Sequence, residues 1–176
     1  MTVSTMERAR AGAREMTFDE VRAFLVREAN CLDDREWDTW LEHYHPDCEF
    51  WMPAWDDFDQ LTEDPQNEMS LIWYGDKSGI EDRVFRIKTD RSSATSLPEP
   101  RTSHNVSNIE ILSQENGETK VRFNWFTLSY RYGKTDTHWG TSYYTIDTTG
   151  ETPLIRFKKV VLKNDQIHHV IDIYHI

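Results

Sequence analysis

Histidines and one aspartate form the pattern in this sequence that most resembles a metal site. His43, His45 and Asp47 make an H-x-H-x-D motif, and its H-x-D part occurs in sites where two histidines and one carboxylate hold iron. Three further histidines are available as the third ligand: His104, His138 and His175. The alternative is structural, because imidazoles at a helix end interact favourably with the helix dipole and Pro46 would fix the following turn. We favour the structural interpretation.

Other metal chemistry finds little support in the sequence. His168 and His169 are adjacent, so on a strand their side chains would point to opposite faces and could not bind the same ion. Zinc and iron–sulfur sites need clustered cysteines and histidines, whereas Cys31 and Cys48 are isolated. We therefore expect this chain to bind neither a metal nor a cofactor.

General acid–base chemistry is a second option. A tyrosine, aspartate or histidine that projects into a hydrophobic pocket has a shifted pKa and can transfer protons. The candidates are Tyr44, Asp47, His104 and Tyr143. Each of them also has an ordinary interpretation as a hydrogen-bonded aromatic or a turn residue. The sequence contains no G-x-S-x-G nucleophile motif and no glycine-rich phosphate loop.

Subunit assembly is a third option. Trp51, Met52, Trp55 and Phe58 lie in an acidic, irregular segment, which is the composition of an apolar interface core with a polar rim. Burial of the two tryptophans in a sheet is an equally good interpretation. Four arginines form a second cluster suited to bidentate pairing with carboxylates, or else a solvated helix face: Arg83, Arg86, Arg91 and Arg101.

Composition limits the classes of partner. The formal net charge is −11, which disfavours nucleic acid and anionic membranes, and no apolar run approaches the roughly 18 residues of a membrane span. Two isolated cysteines fit a reducing cytoplasm. We expect a disordered or extended tail over residues 1–16 and a single domain over 17–176. The 22 aromatic residues, seven Trp, seven Tyr and eight Phe, suggest a bulky core, a large interface or both.

The first half of the chain predicts helices and short strands. Thr17 and Glu20 form a capping box for an amphipathic helix over 17–33, and a second helix with Trp37, Trp40 and Tyr44 would end at Pro46. Further elements follow in order: a strand over 49–54, a strand over 69–74, a helix over 79–89 and a loop over 90–100.

The second half predicts an antiparallel meander. Five segments rich in aromatic and β-branched residues cover residues 102–112, 119–131, 138–147, 154–163 and 167–176. Asn116-Gly117 is a strong hairpin signal, and in the fourth segment Ile155, Phe157 and Lys159 should share a face. In the second segment one face should hold Val121, Phe123, Trp125, Thr127 and Ser129. Helices followed by such a sheet predict an α+β domain with the helices on one face.

Several motifs, in the right order, give the chain a family resemblance. They are LDDREW at 32–37, YHPD at 44–47, FWMP at 50–53, LTEDP at 61–65, EDRVFRI at 81–87, RTSHN at 101–105 and VIDIYHI at 170–176. The chain resembles the small (beta) subunit of Rieske-type aromatic-ring-hydroxylating dioxygenases over residues 18–176. It is most similar to the benzoate and toluate 1,2-dioxygenase branch, with anthranilate, halobenzoate and salicylate relatives close by.

The resemblance implies both a fold and a role. The fold is the cone-shaped, cystatin-like architecture of NTF2-like (SnoaL-like) proteins, with N-terminal helices on a curved antiparallel sheet. The role is that of a non-catalytic assembly subunit in a bacterial, cytoplasmic α3β3 hexamer whose small subunits form a trimer. The Rieske [2Fe–2S] cluster, the mononuclear iron and the substrate pocket belong to the large (alpha) subunit, which receives electrons from a reductase or ferredoxin.

No catalytic residue of that family falls on a position of this chain. The alternative is a stand-alone dehydratase or isomerase on the same cone, with Tyr44, Asp47, His104 or Tyr143 as acid or base. Cones of this type host both kinds of function, so fold alone does not choose between them.

Overall fold

The computed structural model describes residues 14–89 and 99–176, and the helices precede most of the sheet. The elements, in chain order, are α1 Phe18–Asp33, α2 Trp37–Leu41, β1 Tyr44–Pro53, β2 Ser70–Tyr74, α3 Lys77–Lys88, β3 Arg101–Glu115, β4 Glu118–Arg131, β5 Lys134–Asp147, β6 Leu154–Leu162 and a 3₁₀ helix Ile173–His175. Along the described residues, no helix is both long and apolar enough to cross a bilayer.

The six strands form one sheet in the order β2-β1-β6-β5-β4-β3. From β3 to β6 it is the predicted antiparallel meander, and Asn116 and Gly117 make the first turn with φ of 55° and 81°. The first strand departs from the prediction of a wholly antiparallel sheet. β1 pairs in parallel with β6, at the far end of the chain, while β2 pairs with β1 antiparallel. A pairing between such distant segments leaves no mark in the local sequence.

The core lies between the helices and one face of the sheet. The inward face of β4 is the predicted one, since all five residues are buried: Val121, Phe123, Trp125, Thr127 and Ser129. Helix α1 buries Val21, Leu25 and Leu32 and packs against β3. Its N-terminus has the predicted capping box, in which Thr17 and Glu20 each accept a hydrogen bond from the backbone N–H of the other. Met16, just before the helix, is also buried.

The predicted fifth strand of the meander is wrong. Residues 167–176 form no strand and end in the 3₁₀ helix. Asp172 caps this helix by accepting a hydrogen bond from the N–H of Ile173 and also binds Arg83 of α3 through both carboxylate oxygens. Every residue from Asp172 to Ile176 is buried, whereas an outer strand would bury only alternate side chains. The segment therefore covers the core instead of extending the sheet.

The predicted end of the second helix is also wrong. Helix α2 stops at Leu41, and Pro46 lies inside β1. The strand starts early because the ring of Tyr44 enters the core and the carbonyl of His43 accepts a hydrogen bond from the N–H of Ile155. Proline is tolerated because the pairing of β1 with β6 is irregular between Tyr44 and Glu49. The other first-half predictions are correct to within five residues, and the described part of the predicted loop begins at Glu99.

Gly140 tests how closely β5 and β6 approach. A Cβ built at this buried position would lie 1.9 Å from the carbonyl oxygen of Val161 and 3.2 Å from the ring of Trp125. Because backbone must move to make room, Gly140→Ala should lower the free energy of unfolding by about 3 kcal/mol or more. Urea denaturation measures this. The control is Gly150→Ala, where the nearest atom is 3.7 Å away and stability should stay within about 0.5 kcal/mol; equal stability of the two variants would contradict the packing.

Candidate functional site

A buried ion pair occupies the interior between helix α1 and the sheet. Lys158 on β6 places its Nζ 2.9 Å from the Oε1 of Glu28 on α1, and both side chains are nearly inaccessible. The same carboxylate oxygen accepts hydrogen bonds from the Nε1 of Trp40 at 2.8 Å and the hydroxyl of Tyr44 at 2.6 Å. Tyr144 of β5 donates to the other oxygen at 3.4 Å. Five elements of the fold therefore meet at one carboxylate.

The electrostatics of this cluster fix its protonation. Burial alone would raise the pKa of Glu28, but the charge of Lys158 and the hydrogen bonds from Tyr44, Lys158 and Trp40 outweigh it and lower that pKa. Burial and the negative charge of Glu28 raise the pKa of Tyr44 and Tyr144 well above the usual tyrosine value. Both phenols stay protonated as donors, so Tyr44, an acid–base candidate from sequence, is held inside a structural network.

Lys158→Met tests the ion pair. The methionine retains most of the volume but leaves the carboxylate of Glu28 without its cation, so the free energy of unfolding should fall by about 3–5 kcal/mol. The double variant Glu28→Gln, Lys158→Met carries no unpaired charge and should recover part of that loss. Urea denaturation at pH 7 gives both values. A single variant as stable as the wild type would show that the pair does not hold these elements together.

A second polar cluster joins the end of α1 to β3. Asp33 accepts hydrogen bonds from the Nδ1 of His104 at 2.6 Å, the hydroxyl of Thr102 at 2.9 Å and the backbone N–H of His104 at 2.8 Å. Burial would raise the pKa of Asp33, but these hydrogen bonds prevail and lower it. The Nε2 of His104 is buried and has no hydrogen-bond partner among the described residues. The arrangement orients the imidazole and leaves one ring nitrogen unused.

The four acid–base candidates lie in different surroundings. Tyr44 belongs to the Glu28 network and His104 to the Asp33 cluster. Asp47 is 74% exposed on β1, 3.8 Å from a guanidinium nitrogen of Arg156. Tyr143 is half-buried and, being next to the inward Tyr144 on a strand, lies on the outer face. The structure does not bring these side chains together in one pocket.

The H-x-H-x-D motif is bonded locally. The Nδ1 of His43 lies 3.0 Å from the carbonyl of Thr39, and the Nδ1 of His45 accepts a hydrogen bond from the N–H of Asp47 at 3.1 Å. His43 lies at the end of α2, as expected from sequence, and contacts the backbone carbonyl of Thr39 in that helix. His45 and Asp47 lie within β1, which corrects the helix-end location expected for His45. Within residues 14–89 and 99–176, no group of three His, Cys, Asp or Glu side chains has an arrangement that could hold a metal ion.

Three other histidines form a cluster where the C-terminal segment meets β5. The rings of His138, His169 and His175 lie with their centroids 4.8–5.3 Å apart in all three pairs. Because residues 167–169 are not a strand, the expected opposite-face geometry of His168 and His169 does not apply. Burial and neighbouring imidazoles lower the pKa of His138 to about 4 and that of His175 to about 2. Both rings are neutral at pH 7.

The lowered histidine pKa values predict a loss of stability in acid. Below pH 6.5, the ordinary pKa of histidine, His138 and His175 bind protons in the unfolded chain but remain neutral in the native protein. The stabilisation is therefore complete above pH 6.5 and is lost as pH falls towards 4, at about 1.4 kcal/mol per pH unit for each histidine. Thermal unfolding from pH 7.5 to 4.5 measures it. His138→Phe should flatten the curve and exposed His168→Gln should not; an unchanged slope in His138→Phe would contradict the assignment.

The two tryptophans proposed for an interface differ in exposure. Trp51 is only 6% exposed; its Nε1 donates to the hydroxyl of Ser70 at 3.0 Å, and the ammonium of Lys159 lies 4.3 Å from its ring centroid. Trp55 is 44% exposed and donates to the carbonyl of Leu162 at 2.7 Å. Trp51 is thus committed mainly to the fold, while Trp55 presents part of its ring at the surface.

The arginine candidates separate in the same way. Arg83 pairs with the buried carboxylate of Asp172 in its own chain, which holds the C-terminal segment onto α3. Arg86 is exposed on α3. Arg101 is exposed at the start of β3 and its guanidinium lies 4.8 Å from the ring centroid of Tyr130. Arg91 lies outside the described residues.

Two sets of large apolar side chains remain exposed. The first lies on the outer face of β4 and β5, where Phe126 and Trp139 are direct cross-strand neighbours; we call it the outer-face patch, and it consists of Phe126, Leu128, Tyr130 and Trp139. The second surrounds the edge strand β2 and consists of Phe58, Met69, Leu71 and Trp73. Contiguous exposed apolar residues on this scale are typical of protein–protein interfaces.

Sequence reasoning missed the Glu28–Lys158 pair and misplaced the face of β6. Glu28 lies within the apolar stripe of α1, four residues after Phe24, which was the available signal. Lys158 was hidden because the register of β5 and β6 shifts near Ile155, so the inward residues become Lys158, Val160 and Leu162. Lys159 was expected on the same face as Ile155, but it contacts Trp51 on the other face. A carboxylate on the apolar face of a helix, such as Glu28, needs a cationic partner, but only the folded structure shows that this partner is Lys158.

Helices packed on a curved six-stranded sheet define the cone-shaped NTF2-like class. A scytalone dehydratase-like protein of Novosphingobium aromaticivorans shares this fold at 14% identity, with a TM-score of 0.61 over 97% of this chain and 95% of that one. At that identity only the fold is shared.

More specific similarities define the family. The family model described as "Ring hydroxylating beta subunit" matches residues 27–169. The toluate 1,2-dioxygenase beta subunit of Pseudomonas putida is 63% identical over 161 residues, covering 92% of this chain and 99% of that protein. The crystal structure of the benzoate 1,2-dioxygenase beta subunit of Burkholderia mallei is 49% identical, with a TM-score of 0.79 over 93% of this chain and 99% of that chain. The chain belongs to the beta-subunit family of aromatic-ring-hydroxylating dioxygenases.

Proposed function

We propose that this chain is the non-catalytic assembly subunit of a bacterial, cytoplasmic oxygenase that dihydroxylates benzoate, toluate or a related aromatic carboxylate. The similar proteins named for benzoate and toluate support the substrate class. The observation that carries the non-catalytic role is the Glu28–Lys158 network, which fills the cone with side chains that bind one another. The buried, free Cys31 and Cys48 suit a reducing compartment.

The partner in this proposal is a large oxygenase subunit in an α3β3 hexamer. That subunit would hold the Rieske cluster, the mononuclear iron and the aromatic substrate, and would receive electrons from a reductase or ferredoxin. Together these groups supply the activation of dioxygen. The present chain would contribute position, because electron transfer between large subunits depends on their relative placement. Because this chain would bind the large subunits only in their folded, assembled state, its binding would stabilise their relative placement by mass action.

Self-association as a trimer is the second part of the proposal. A rotationally symmetric base suits three large subunits, because closed symmetry repeats one contact three times. The outer-face patch supports it, since Phe126, Leu128, Tyr130 and Trp139 are each 40–47% exposed on a regular sheet surface. Arg101, stacked on Tyr130 at its end, adds a charged group at the rim.

Co-expression with a large subunit of this family tests the proposed function. Purification of the present chain should recover a complex of hexamer size with the red-brown absorbance of a Rieske cluster. Sizing by light scattering and a visible spectrum give the two results. A colourless homo-oligomer that retains no second chain would overturn the assembly role.

Arg101→Ala tests whether that end of the sheet is used in assembly. The side chain is exposed, so the variant alone should unfold in urea like the wild type. Its complex should dissociate at a lower urea or salt concentration, because the free energy of assembly should weaken by about 1 kcal/mol or more. Lys120→Ala, exposed at the opposite end of β4, is the matched control. Normal assembly of Arg101→Ala would place the interface elsewhere.

The stand-alone dehydratase or isomerase remains the alternative, and His104 is the observation in its favour. Its ring is oriented by Asp33 and its Nε2 is buried without a partner. A small cavity reaches the same Asp33 cluster at Thr102, but His104 does not line it. It measures about 20 Å³, which is space for one water molecule and not for a substrate. His104→Gln should therefore leave the dioxygenase activity of an assembled complex within about twofold, whereas a proton-transfer enzyme would lose activity by orders of magnitude.

A further inference from the structure

A large cleft opens between the β4–β5 turn and the C-terminal segment. Its volume is about 760 Å³. The lining side chains are Pro100, Ser129, Arg131, Tyr132, Lys134, Asp136, His168, His169, Val170 and His175. It is separate from the Glu28 network, and the assembly role proposed above does not yet use it. We call it the hairpin cleft.

The hairpin cleft is more positive than the rest of the protein. Arg131 and Lys134 bring two cations to its wall, while Asp136, the one carboxylate among the described lining residues, lies 3.4 Å from the Nε2 of His169. The whole chain carries a formal net charge of −11. A cationic recess on an acidic surface concentrates the potential that attracts an anion. Charge therefore favours an anionic partner for this recess.

Buried histidines add hydrogen-bonding groups to the cleft. The Nδ1 of His175 accepts a hydrogen bond from the backbone N–H of Asp172 at 3.0 Å, so in the neutral ring the proton lies on Nε2. His175 is 4% exposed and lines the cleft. The adjacent His138 is 3% exposed and lines a smaller neighbouring recess instead of the hairpin cleft. The Nε2–H of His175 is therefore a hydrogen-bond donor, which suits a carboxylate acceptor.

The rim of the cleft is apolar and exposed. Tyr132 is 68% exposed and Val170 is 71% exposed. The turn that carries Tyr132 has a defined shape, with φ of 52° at Tyr132 and 77° at Gly133, and the guanidinium of Arg131 lies 4.7 Å from the tyrosine ring centroid. Tyrosine and arginine are both enriched in the hot spots of protein–protein interfaces. A free metabolite would not need this outer rim.

We propose that the hairpin cleft is the docking site for an acidic segment of the large oxygenase subunit, with a carboxylate placed between Lys134 and the histidines and an apolar neighbour on Tyr132 and Val170. This inference rests on the proposed function, since it specifies the surface through which the assembly subunit contacts its partner. It assigns the partner contact to the side of β4 on which Ser129 lies, whereas the outer-face patch, through which copies of this chain would meet, lies on the opposite side of the same strand.

Charge reversal at Lys134 tests the docking site. The side chain is exposed, so Lys134→Glu should fold normally while its affinity for the co-expressed large subunit falls at least about tenfold, because like charges would then meet in the cleft. The wild-type affinity should weaken with added salt and that of Lys134→Glu should depend on salt less steeply. Tyr132→Ser should also weaken binding, without changing the salt dependence. Sizing and titration by fluorescence anisotropy measure these effects.

The control is Lys120→Glu, the same reversal at the far end of β4. If wild-type chain and large subunit form no complex at all, the proposed function fails. If they do, and Lys134→Glu binds as tightly as wild type, only the docking inference is overturned. A third outcome also overturns it: sodium benzoate alone raises the thermal midpoint of the wild type, Lys134→Glu abolishes that effect, and assembly is unchanged. The cleft would then be a small-molecule site.

Discussion

The contact between Glu28 and Lys158 is the constraint on which the rest of the structure depends. A carboxylate and an ammonium in an apolar interior are each costly to desolvate, and they are tolerated only with excellent geometry and satisfied hydrogen bonds. Here the geometry comes from five elements at once, since α1, α2, β1, β5 and β6 each supply one partner. The cluster therefore ties the helices to the sheet at a defined position, which apolar contacts alone specify less sharply.

The same cluster bears on whether its own tyrosines could act in acid–base chemistry. A pocket acid or base needs an open volume and a group whose proton can leave. Tyr44 and Tyr144 have neither, because they are enclosed and their pKa values are raised. The buried polar atoms without a hydrogen-bond partner among the described residues include the Nε2 of His104 on β3 and the Nδ1 of His138 on β5. In the proposed assembly role, the surfaces of this chain contact other subunits, while its interior stabilises the fold.

Structural features that depend only on residues close together in the sequence could be predicted. The Thr17–Glu20 capping box, the Asn116-Gly117 turn and the alternation along β4 depend on local geometry, and the structure has all three. Features that join distant residues could not be predicted. The parallel pairing of β1 with β6, the Asp172–Arg83 contact and the Glu28–Lys158 pair each need the fold to define the neighbour. The C-terminal segment has the β-branched and aromatic composition of a strand, but Asp172 within it caps a 3₁₀ helix and binds Arg83.

The pairing of β1 with β6 also has a consequence for folding on the ribosome. Tyr44 lies beside Ile155, so β1 and Glu28 are synthesised long before the strand that carries Lys158. Until that strand emerges, the early helices carry an acid in their apolar stripe with no cation to meet it, and β1 has an unpaired edge. Contacts between such distant segments slow folding, and exposed edges favour aggregation. The first half of the chain is thus a poor independent folding unit, and the subunit becomes competent for assembly only late in its synthesis.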